Sequence, residues 1–175
     1  MPQNTQDSDQ VNNCRPIALN LSIYFIAILI SAFIVNFIFN YSAGWRVSNP
    51  VKYLWVFLPY IFGAISIYRF LYSKEKSLWP AYFLLIYTVL KPLSVFNYYY
   101  KTYVTVAGMR LDELIDSMSF FILANASLAI LAVVTIILLN KNKSIQYLRV
   151  GRNESVLSLL KTFVATFMWV FFSGW

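Results

Sequence analysis

The chain has 175 residues, of which 59% are hydrophobic, 19% aromatic and 12% charged, against roughly 45–50% apolar and about 25% charged in a soluble domain. That balance excludes an ordinary soluble domain and leaves room for one helical membrane unit. The net charge of +7 does not argue for nucleic acid, because the basic residues sit in short loops between apolar runs, where they set topology and meet the lipid bilayer.

Residues 1–15 form a polar tail whose first thirteen positions carry two acids and no base. The run from Ile17 to Phe39 is uncharged and long enough for a helix that needs about 20 residues to span. It exceeds a signal-peptide core and lacks a small-residue cleavage site, so it is expected to persist as a span. Val51–Tyr72 gives a second span, interrupted by Pro59 and Gly63 and closed by Arg69. Trp79 to Tyr100 gives a third, with Lys91 and Pro92 inside it. Ser117–Leu139 gives an uncharged fourth.

The last segment, Val156–Trp175, has two readings. Ser158, Thr162, Ala165, Thr166, Trp169 and Ser173 recur at helical spacing opposite Leu159, Leu160, Phe163, Phe167 and Phe171. Either a fifth span turns its small and polar stripe toward its neighbours, or a helix lies in the interface. The fold expected is an all-α membrane protein: four transmembrane helices in a bundle, plus a C-terminal hydrophobic helix read as a fifth span.

Lysine and arginine set the expected orientation. Arg15, Arg69, Lys74, Lys76, Lys141, Lys143, Arg149 and Arg152 fall on one side, against Arg46, Lys52, Lys101 and Arg110 on the other. The positive-inside rule then puts the N-terminus in the cytoplasm.

Little in the chain can carry catalysis. There is one cysteine, Cys14, and no histidine, so disulfide frameworks and the usual Cys/His metal or haem sites are excluded. No phosphate loop, nucleophile elbow or metal motif occurs, and no cofactor is expected. Lys91 is the sharpest candidate. It lies eleven residues beyond Pro80, about 16 Å along a helix and near mid-membrane, where a lysine costs roughly 2.5–3.5 kcal/mol. Pro92 removes a backbone donor beside it and favours a kink. Lys91 either binds an anion in a cavity lined by Asn97 or Asn125, or snorkels toward an interface with its head near Ser94, Asn97 or Asn125.

Asp112, Glu113 and Asp116 form an acidic cluster expected on the outer side. They could form a cation site or meet a basic partner. The simpler reading has them complement the helix dipole in the first turn of the fourth span, since divalent cations want more oxygen ligands than these three guarantee.

The stretch Phe70–Ile86, "FLYSKEKSLWPAYFLLI", resembles the central signature of the domain-of-unknown-function 2569 family of bacterial inner-membrane proteins. An apolar span ending in the aromatic pair at Phe70–Tyr72, the basic Lys74 and Lys76, and the helix-opening Pro80 carry the likeness. The acidic Asp112–Asp116 segment and a last span leading into "NKNKSIQYL" follow in the same order. The resemblance covers about half the chain; it implies a four-helix membrane architecture and a bacterial inner membrane, and brings no activity with it.

The function expected is non-enzymatic: an interaction or accessory protein acting through helix contacts with another membrane protein or with itself. The alternative is a small transporter or channel component using Lys91 and the Pro92 kink.

Overall fold

The computed structural model describes residues 15–42, 50–72 and 77–172, with side chains throughout these except at 39–42, 50–55 and 172. Cys14, Arg46, Lys74 and Lys76 lie outside the described residues. The described chain is helical: α1 (Ile17–Ser42), α2 (Pro50–Tyr72), α3 (Trp79–Tyr99), a π-helical segment (Tyr100–Val106), α4 (Leu111–Ser117), α5 (Ser119–Leu139), α6 (Asn142–Tyr147) and α7 (Arg152–Phe172).

Among the described residues, four helices are long and apolar enough to cross a membrane: Ile17–Ile38, Trp79–Val106, Ser119–Leu139 and Arg152–Phe171. The described side chains of α2 add a shorter apolar stretch, Val56–Tyr72. The C-terminal helix therefore meets the length and composition of a span, although its sequence left two readings open. In hydrocarbon a chain must satisfy its own backbone, which is why such apolar runs form unbroken helices. Their hydroxyls do the same: Ser22, Ser66, Thr88, Thr135, Thr162 and Thr166 each donate to the carbonyl four residues back. These side chains can then be buried without a partner on another helix.

Helix α3 is the centre of the fold. It packs against α2, α5 and α7, while α1 covers α2 and α5. Every residue from Pro80 to Tyr87 is buried, the pattern of a helix surrounded on all sides. Gly63 lets α2 approach its neighbours: a methyl group there would come within 2.5 Å of Leu84 Cδ2 and 3.2 Å of Ile30 Cδ1.

Helix α7 lies alongside α3 and runs in the same direction. Tyr82 meets Ser155 near the start of both helices, and further along Ser94 Oγ approaches the Val170 carbonyl at 3.5 Å. The small and polar stripe faces inward only in part: Thr162 and Thr166 are buried, Ser158 and Trp169 half-buried, Ala165 exposed, and Ser173 lies outside the described residues, while Leu159 of the opposite side packs on the core. Ser155, Thr162, Thr166 and Val170 are buried, whereas Phe163, Phe167 and Phe171 are exposed.

Several boundaries differ from the sequence reading: α7 opens at Arg152 rather than Val156, and α1 runs to Ser42 rather than Phe39. Beyond Tyr99 the third helix continues as the π-helical segment, which ends where Met109 N–H bonds the Tyr103 carbonyl and Gly108 takes φ +71°. The acids do not open the fourth span. They sit on α4, separated from α5 by Met118 at φ −102°, ψ 5°. Buried Leu114 and Met118 hold this short helix down and make it a separate element.

Candidate functional site

Lys91 lies partly buried on α3, and the helix is continuous across Pro92. One turn further along, Val95 and Tyr99 face Phe121 and Ser117 of the α4–α5 corner across a cavity of about 380 Å³. Residues four apart share a helix face. Lys91 lies one turn before Val95 on α3, and Asn125 one turn beyond Phe121 on α5; neither is part of the cavity lining. Asn125 spends its amide locally, Nδ2 donating to the Phe121 carbonyl at 2.8 Å. Asn97 is exposed and does not line the cavity.

The cavity wall carries stacked aromatics. Tyr99 and Tyr103, four residues apart on one helix face, stack with ring centroids 5.6 Å apart at 11°. Ser117, a polar group in the lining, donates to the Leu114 carbonyl at 2.8 Å. The surface is thus suited to a flat or apolar ligand, and it presents no nucleophile beside a base.

Asp112 is clamped by Arg110, Nε to Oδ1 at 3.2 Å and Nη2 to Oδ2 at 2.9 Å. Glu113 and Asp116 are exposed on the same short helix. Asp112 and Glu113 occupy its first turn, where they complement the dipole of α4 rather than that of the fourth span. Among the described residues no group of three or more His, Cys, Asp or Glu could hold a metal ion.

Two features escape a linear reading. The first is a directed chain of hydrogen bonds: Tyr82 O–H donates to Ser155 Oγ at 2.8 Å, Ser155 donates to Asn140 Oδ1 at 2.8 Å, and Asn140 Nδ2 donates to the Ile136 carbonyl at 2.8 Å. It ties α3, α5 and α7 together at one end, with every member satisfied. The second is Lys161, a lysine within α7. It is exposed beside buried Thr162 and lines a groove between α2 and α7.

Comparison with family models, curated proteins and solved structures finds no match to the chain.

Proposed function

We propose that this chain is a five-span protein of a bacterial inner membrane, its N-terminus cytoplasmic, that works without catalysis through helix contacts with another membrane protein or a second copy. The alignment of α7 along α3 supports the fifth span, because a helix lying in the interface would cross its neighbours rather than follow one of them.

The observation that carries the contact reading is the outer face of α5. Phe120, Leu123, Ser127, Ile130, Val134 and Ile137 are all exposed. Their alternating spacing of three and four keeps one straight seam toward a partner helix. Lipid asks only for an apolar surface. Ser127 at the seam's middle, with Ala126 beside it, gives the close backbone approach that helix pairs in membranes use.

The test is oxidative cross-linking in native membranes of Ser127→Cys in a Cys14→Ser background, with buried Thr135→Cys as control. An adduct of twice the chain mass identifies a second copy, and an adduct of another mass identifies a different partner. If Ser127→Cys gives no more adduct than the control, the contact reading fails. A reporter fused after residue 175 tests the fifth span, since it must lie on the opposite side of the membrane from a label at Gly151→Cys.

Partly buried Lys91, one helical turn from Val95 in the wall of the aromatic cavity, favours a second reading, a small transporter or channel component. It requires that Lys91 serve a ligand rather than the fold.

A further inference from the structure

We propose that the groove between α2 and α7 holds one anionic phospholipid, with an acyl chain against its aromatic floor and the headgroup at Lys161; this rests on the five-span reading. Helices α2 and α7 both pack on α3, leaving an open channel between them. Its volume is about 530 Å³, within the roughly 300–1,000 Å³ of small-molecule sites. Phe62 forms the floor, edge-on to Trp79 at 4.9 Å and to Phe83 at 5.4 Å.

Length identifies the occupant. Along α7 the groove runs from Glu154 to Ala165, about 16 Å at 1.5 Å per residue, or half of a hydrocarbon core about 30 Å thick. Beyond that point it closes, where Trp169 meets Phe83 at 6.0 Å. A crossing helix of a partner would need a trough through both leaflets, whereas a lipid chain needs one.

Charge identifies the headgroup. Lys161 lies nine residues from Arg152, about 14 Å into the span. Helical side chains lean toward the N-terminus, so its ammonium reaches back toward the Arg152 end and the headgroup layer. Glu154, also in the groove wall, forms no ion pair with Lys161; its Oε2 accepts the Gly151 N–H at 3.1 Å instead.

The experiment uses the full chain in phosphatidylcholine bilayers containing a minority of lipid with brominated acyl chains, either phosphatidylglycerol or phosphatidylcholine. The contribution of Trp79 is the difference in tryptophan quenching between wild type and Trp79→Phe. Brominated phosphatidylglycerol is expected to occupy the site about fivefold better, the gain of one lysine against an anionic lipid. Lys161→Gln should abolish that preference, and Ala165→Phe should reduce quenching by both lipids. Equal quenching by the two lipids in wild type, no quenching of Trp79 by either, or a preference that survives Lys161→Gln would each overturn the proposal. A C-terminal reporter found on the same side as Gly151 would instead bring down the five-span reading, whatever the quenching shows.

Discussion

The Tyr82 hydroxyl and Ser155 Oγ lie 2.8 Å apart, although 73 residues separate them in the chain. The pair is buried, and Ser155 passes the interaction on to Asn140. In water such a bond trades against solvent. Here the chain fixes the register of α3, α5 and α7 at one end, because a slip of one residue on any of them would orphan polar atoms in an apolar setting.

The two partners are therefore not equivalent. Tyr82→Phe removes a donor and leaves the Ser155–Asn140 bond intact, so its loss should fall near the 0.6–1.7 kcal/mol measured for hydrogen bonds between membrane helices. Ser155→Ala strands both the tyrosine hydroxyl and the asparagine carbonyl and should cost more. Thermal unfolding in detergent of the two variants and their double mutant checks this. Equal losses, or additive ones, would mean that the chain of bonds does not act as a unit.

Gly63 is required by proximity rather than by backbone conformation. A leucine at this position must displace buried Leu84 and partly buried Ile30. Overpacking of this kind typically costs 1–3 kcal/mol. Gly63→Leu should lower the melting temperature clearly, and Gly63→Ala should do so less, since the nearest atom is the end of a side chain. A Gly63→Leu variant as stable as wild type would show that α1, α2 and α3 are not locked together here.

Gly108 makes the opposite case. A side chain there would meet nothing within 4 Å, yet φ is +71°. The left-handed conformation costs an L-residue roughly 1–2 kcal/mol, so Gly108→Ala should loosen the end of the π-helical segment by about that amount without any steric clash. Faster amide exchange at Ala107 and Met109, whose N–H groups bond Thr102 and Tyr103, is the expected signature. Unchanged exchange at both positions would rule it out.

The Arg110–Asp112 pair has good bidentate geometry, but its side chains are 76% and 62% exposed. Exposed pairs contribute about 0–1 kcal/mol and are screened by salt. Asp112→Asn is expected to shift the melting temperature little, and less still at high salt. A large loss, or rescue of wild type by added calcium, would restore a cation-binding role to the acidic cluster.

Much of this fold was legible in the chain because hydrophobic runs in a membrane admit few alternatives. The uncharged stretches of α1 and α5 announce their own length. The inward face of α7 could be read in part from the period of Ser158, Thr162 and Thr166, although Ala165 of the same stripe is exposed. The Tyr82–Ser155–Asn140 chain could not, since a tyrosine, a serine and an asparagine are ordinary at the end of a span until three helices bring them together. Nor does any local pattern announce the break at Met118 that gives the acids their own helix. The aromatic cavity arises where Tyr99 and Tyr103 meet Leu114, Met118 and Phe121, a meeting of separate elements that no local pattern announces. Lys161 was visible as a residue, but its groove exists only because α2 and α7 do not close over α3.

Lys91 offers the sharpest separation between the two functional readings. If the protein works by helix contacts, the lysine is a passenger of α3, and the roughly 2.5–3.5 kcal/mol that a mid-span lysine costs should exceed what its local interactions return. Lys91→Leu should then accumulate in the membrane at least as well as wild type, melt no lower, and leave the Ser127 cross-link unchanged. If the cavity above Lys91 is a transport site, the same variant would also be stable, but added organic anions would raise the melting temperature of wild type and not of Lys91→Leu. A clear loss of stability in Lys91→Leu would contradict both expectations and assign the lysine to the packing of α3.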